Sequence, residues 1–183
     1  LITAFNKKLL IELKGPFSGL PDGTAMMLKL LGKKQPEYPE LPTLVSKVLQ
    51  PYVKQLEGNI FVQSFHRPYL EELRSLMPEL QLVYLTLSSN RSWLQREDLQ
   101  IPLTFSGVSV RHTALTPDAV KELQKIQGHV FAWTVDSEIS LCSMMAAGVD
   151  GVITNRPDTA VALLAEGNFS APKRRRCCRS RAK

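Results

Sequence analysis

The feature that most constrains this chain is a rhythm. Short apolar runs recur at 9–13 (LLIEL), 59–64 (NIFVQS), 81–85 (QLVYL), 107–110 (GVSV), 129–135 (HVFAWTV) and 151–154 (GVIT), and their starts lie 50, 22, 26, 22 and 22 residues apart. Helical patterns fill the intervals. One opens at Pro42, runs through Leu44, Val45, Val48 and Tyr52 to Leu56, and stops at Gly58. Another starts at Pro68 and stops before Pro78. A third has Thr116 as N-cap, Pro117 at the first helical position and Gly128 as its stop. A fourth runs from a cap at Asp136 or Ser137 to Gly148, and a fifth follows Pro157. Strand then helix, repeated, means parallel strands joined by crossover helices.

Two architectures fit that pattern. A doubly wound sheet calls for a glycine-rich phosphate loop after its first strand, and no such motif occurs here. A (β/α)8 barrel places its functional side chains at the C-terminal ends of several strands. Unusual residues stand at those ends: Glu12 and Lys14, Gln63 and Phe65, Arg111 and His112, Trp133, and Thr154 with Asn155. The spacing predicts a TIM-type barrel. A complete one takes about 250 residues in eight units, and six units are visible, so the expected fold is an incomplete (β/α)8 barrel over residues 1–168. The chain opens on Leu1, which is compatible with a piece of a longer protein.

Charge matters chiefly at the C-terminus. The net charge is +6, but the last twelve residues, PKRRRCCRSRAK, hold seven basic and no acidic side chains, leaving the remainder at about −1. That argues against a globally basic, nucleic-acid-coating domain. Two readings of residues 169–183 stay open. One is a disordered, solvated tail; the other is peripheral membrane contact through 173–183, with Cys177 and Cys178 as acylation candidates. The third cysteine, Cys142, falls among Leu141, Met144 and Met145 and reads as core packing.

Four segments together resemble the glycerophosphodiester phosphodiesterase family: LLIELKG (9–15), FVQSFHRPYLEELRSLMPELQLVYL (61–85), GHVFAWTV (128–135) and GVDGVITNRPD (148–158). Their order and spacing match the third, fourth, fifth, seventh and eighth strands of that family's barrel. The resemblance implies metal-dependent hydrolysis of glycerophosphodiesters to glycerol 3-phosphate and an alcohol. It makes Glu12 a ligand of a divalent cation, Mg²⁺ or Ca²⁺, and Lys14 the lysine that faces the substrate phosphate. Strand alternation agrees, since residues two apart share a face at about 6 to 7 Å along the strand. A hard cation takes carboxylate oxygens, and an ammonium stabilises the charge that gathers on a phosphodiester under attack. Phe65 becomes a pocket wall, Gln63 a polar contact, and Trp133, which shares a face with Phe131 and Val135, a lining residue near the glycerol or leaving group. Asn155, where many members carry Asp, is expected to order the turn before Pro157.

The family's two catalytic histidines lie in its first two βα units, in His-Arg-Gly and His-Asp motifs, together with a Glu-x-Asp pair of metal ligands. None of these motifs occurs in the 183 residues, so no catalytic residue is assigned within the chain. His129 opens its strand at the wrong end, His66 begins a helix, and His112 is a candidate substrate contact at most. The chain by itself is therefore expected to be inactive. The alternative reading is a degenerate, non-catalytic barrel that binds a phosphodiester or a protein partner. Two further expectations concern surfaces. The 16–41 stretch, with AMMLKLL at its middle, is either a lid or a plain insertion. Open strand edges at 9–13 and 151–154 invite oligomerisation or aggregation.

Overall fold

The computed structural model describes residues 8–15, 38–55, 58–86 and 105–166. The AMMLKLL segment and the basic tail lie outside those residues. The chain divides into two compact units, Leu1–Leu85 with Thr104–Ser106, and Thr86–Leu103 with Gly107–Lys183.

In the first unit, β1 (Leu9–Glu12), β2 (Ile60–Ser64) and β3 (Gln81–Thr86) alternate with α1 (Leu41–Leu49) and α2 (Arg67–Leu76). β1 pairs parallel with β2, and β2 with β3. With a neighbour on each side, β2 buries all five of its residues. That explains why IFVQS lacks an apolar–polar alternation. Leu70, Leu73, Met77, Leu80, Leu82 and Val83 are among the fully buried side chains of this unit.

The helix expected from Pro42 to Leu56 is shorter than its apolar spacing suggested. It spans Leu41–Leu49, and residues 50–55 form turns, with Tyr52 N–H donating to the Leu49 carbonyl at 2.9 Å. Pro51 is the cause: it has no N–H to donate and its ring obstructs the preceding turn. Local backbone chemistry overrode a side-chain pattern that continued past it.

In the second unit, β4 (Gly107–Arg111), β5 (His129–Trp133) and β6 (Gly151–Val152) alternate with α3 (Pro117–Gln127), α4 (Glu138–Ala147) and α5 (Pro157–Glu166). β5 pairs parallel with both β4 and β6. The capping signals act as the sequence indicated. Thr116 Oγ1 accepts the Ala119 N–H at 3.3 Å, and Pro117 begins α3. Ser137, rather than Asp136, caps α4 by accepting the Ser140 N–H at 3.1 Å. Gly148 ends α4 in the left-handed region, at φ 82°, where a side chain would be strained.

Along β5, Val130 and Ala132 are buried with Val108, Val110, Val120, Leu141 and Met144 in one apolar cluster. His129, Phe131 and Trp133 take the other face and are partly exposed. Val135 departs from its expected face. The strand ends at Trp133, and Val135 joins the cluster with Val130 and Ala132, its N–H donating to the Ile153 carbonyl at 2.9 Å. Alternation holds only while the strand lasts. Cys142 is buried beside Leu141 and Met144, as expected of a packing residue.

Candidate active site

The parallel register sets Glu12 directly beside Gln63, so the two side chains rise from one face at the C-terminal end of β1 and β2. Lys14 follows just beyond the strand. Its Nζ meets Glu12 Oε1 at 2.5 Å, and Gln63 Nε2 lies 3.5 Å from Glu12 Oε2. The sequence placed Glu12 and Lys14 on one face some ångströms apart. In the folded chain the flexible lysine closes that gap and forms an ion pair. Lys14 remains 63% exposed and Glu12 28%, so both can reach a ligand in solvent. An exposed pair of this kind contributes little to stability.

Gln63 is 3% exposed, and its Oε1 is buried with no hydrogen-bond partner. The side of the Gln63 amide turned toward the Glu12 carboxylate is its Nε2, a donor, so the oxygen offered to a hard cation here is that of Glu12. Mg²⁺ and Ca²⁺ take about six to eight oxygen ligands, however, and no group of three His, Cys, Asp or Glu side chains comes together among the described residues. Glu12 therefore fits a cation as one contributor of oxygen, without forming a closed cage. Phe65 sits half-buried at the bend after β2. An open groove beside the pair is walled by Leu13, Tyr38, Leu41 and Leu44.

In the second unit Trp133 is held from two sides. Its Nε1–H donates to the Ser109 carbonyl at 3.1 Å, and the Arg111 guanidinium lies 5.2 Å above its ring, within cation–π range. Arg111 and Trp133 are register partners at the ends of β4 and β5. His112 begins the 3₁₀ turn His112–Ala114, with Nδ1 buried and without a hydrogen-bond partner. His66 is the N-cap residue of α2, with its ring edge-on to Tyr69 at 4.5 Å. His129 opens β5 and lies 3.8 Å from Asp150.

Asn155 orders the turn before Pro157 in the manner expected of it. Its backbone N–H and its Nδ2–H donate to Asp136 Oδ1 and Oδ2 at 2.8 and 2.9 Å. The Thr154 hydroxyl adds a third bond to Oδ1 at 3.1 Å. Asp136, weighed from the sequence only as a helix cap, is the hub of this turn; the signal was its position just after a strand. The backbone bond from Asn155, followed by the side-chain bond, holds the Asp136 carboxyl below the usual carboxylate range. A depressed folded value means that its stabilising contribution is present above the unfolded pKa of about 3.9 and is lost as pH falls through the folded one. The stability difference between wild type and Asp136→Asn, measured by denaturant unfolding, is thus expected to shrink as pH falls from about 5 through the depressed folded value. A difference that stays constant across that range would rule the account out.

Residues 26–159 match the sequence model of the Glycerophosphoryl diester phosphodiesterase family. A glycerophosphodiester phosphodiesterase of Bacillus altitudinis is 29% identical over 132 residues, which is 70% of this chain and 51% of that protein. One from Caldanaerobacter subterraneus is 26% identical over 132 residues, 71% of this chain and 51% of the relative. The crystal structure of a glycerophosphodiester phosphodiesterase from Parabacteroides distasonis superposes with a TM-score of 0.58 at 22% identity, covering 87% of this chain and 58% of that one. At that identity the likeness shows the fold. The chain spans about half the length of these curated relatives. Glu12 and Lys14 precede the matched span, so their roles rest on their geometry and on the resemblance of LLIELKG.

Proposed function

This chain belongs to the glycerophosphoryl diester phosphodiesterase family, and we propose that it is the phosphate-gripping part of an enzyme that hydrolyses glycerophosphodiesters to glycerol 3-phosphate and an alcohol. The observation that carries this reading is the Glu12–Lys14 pair at the end of β1, with Gln63 beside it. The Lys14 ammonium neutralises a non-bridging phosphate oxygen as charge gathers there. Glu12 would contribute a carboxylate oxygen toward Mg²⁺ or Ca²⁺, and such a cation, when bound, would polarise the phosphoryl group. Phe65, at the bend after β2, is read as a wall beside that pair.

Attack on phosphorus also requires one group to take a proton from the nucleophile and another to give one to the leaving alcohol. We assign neither role within residues 1–183, and the chain by itself is expected to be inactive. Release of glycerol 3-phosphate from glycerophosphocholine, with Mg²⁺, with Ca²⁺ and with EDTA, tests both statements. It is to be run on residues 1–183 and on the protein made from its complete coding sequence. Turnover by the second alone, abolished by EDTA, is the expected result. Turnover by neither, across a panel of diesters, would favour a non-catalytic barrel that binds a phosphodiester or a protein partner.

A further inference from the structure

The attachment of β1 to β2 continues past Glu12, although the regular strand stops there. The Leu13 N–H donates to the Gln63 carbonyl at 2.8 Å. The Leu13 carbonyl, lying between the two members of the Glu12–Lys14 pair, accepts the Ser64 hydroxyl at 2.8 Å. The same Ser64 oxygen accepts the His66 backbone N–H at 3.0 Å. Ser64 is fully buried, at 0% exposure. One hydroxyl therefore ties the Glu12–Lys14 segment to the turn from which α2 departs.

The two turns also press on each other. A Cβ at Gly15 would lie 2.4 Å from His66 Cβ, so only glycine lets the chain after Lys14 pass at this separation. Serine suits its own position because a hydroxyl donates and accepts at once. Alanine would leave a carbonyl and an N–H without their partner.

We propose that Ser64 is a positioning residue for Lys14. It fixes the Leu13 carbonyl, and with it the point and direction at which the lysine leaves the sheet. The proposal rests on the reading that Lys14 grips the substrate phosphate. A lysine has a long, freely rotating stem, so its aim depends on its backbone anchor. A misplacement of about 1 Å at a reacting group can cost about 10²-fold in rate.

The test is a double-mutant cycle on the protein made from its complete coding sequence, read by calorimetric affinity for glycerol 3-phosphate. Ser64→Ala is expected to weaken binding about tenfold, and the Ser64→Ala/Lys14→Ala pair to bind no more weakly than Lys14→Ala alone. Should Ser64→Ala fail to fold, Ser64→Cys, close in size with weaker hydrogen bonding, takes its place in the cycle. Losses that multiply would make Ser64 merely structural and overturn the proposal, as would wild-type affinity in the Ser64 variant. Binding is read apart from turnover. A wild type that binds glycerol 3-phosphate without hydrolysing any diester defeats the proposed activity and leaves the cycle to decide on Ser64. A wild type that does not bind it defeats both.

Discussion

Lys14→Ala, in the protein made from its complete coding sequence, is expected to lower the turnover of glycerophosphocholine by about 10² to 10³ while leaving thermal stability nearly unchanged. The two halves of that expectation come from one observation. Lys14 is 63% exposed and its described partner is Glu12, at 2.5 Å. Exposed ion pairs contribute on the order of 0 to 1 kcal/mol to folding, so little of the fold depends on the ammonium. A phosphodiester passing through its transition state gathers charge that a positioned ammonium stabilises more strongly than it does the ground state. The loss is therefore expected in kcat more than in KM. Lys14→Arg should recover only part of it, because a planar guanidinium on a different stem does not reproduce a compact point charge. Activity within about threefold of wild type in Lys14→Ala would remove the lysine from the mechanism. A large drop in melting temperature would mean that the pair is structural after all.

Much of the fold was legible because its signals are short-range. Thr116-Pro117 and Gly128, or Ser137 and Gly148, specify helix ends through bonds within a few residues, and neighbours in sequence are enough to read them. Two misjudged boundaries show where that reading runs out. Apolar spacing continued smoothly to Leu56, yet Pro51 ended the helix at Leu49. Alternation was carried on to Val135, yet the strand had finished at Trp133 and Val135 turned into the core.

The candidate site was legible in part for the same reason. Glu12 and Lys14 are two residues apart, so their shared face could be read directly. Their contact could not, since it depends on how far a lysine reaches back. That Gln63 stands beside Glu12 is a matter of parallel register between segments about fifty residues apart, set by tertiary packing. Ser64 was missed although it carried a weak signal, a small polar residue closing a strand that is apolar at Ile60–Val62. Its role lies in bonds to Leu13 and to His66, and no local pattern reports the first of them.

Residues 1–183 on their own are expected to self-associate, through the edge of β1 that has no partner among the described residues and through the exposed face of α1. Among the described residues β1 pairs with β2 alone, which leaves its other edge with main-chain groups open to pairing. Leu10 on that strand is 38% exposed. On α1, Leu44 and Val48 stand one helical turn apart at 50% and 66% exposure, and Tyr52 follows at 52%. An unpaired sheet edge and an exposed apolar stripe are each surfaces that water disfavours. Burial of a Leu or Val side chain is worth about 1.5 to 3 kcal/mol. Leu44→Glu with Val48→Glu should therefore weaken association by about two orders of magnitude or more. Sedimentation velocity over a concentration series reads this directly, and the double variant should shift the boundary toward monomer at concentrations where wild type has associated. In the protein made from its complete coding sequence the same two substitutions distinguish two ways of covering this face. If further chain packs against α1, they lower melting temperature and leave the protein monomeric. If a second copy does so, they split an oligomer. A concentration-independent monomer of residues 1–183 with a single cooperative melt would show that the β1 edge and the α1 face tolerate water, and the idea that this unit needs a neighbour would have to be given up.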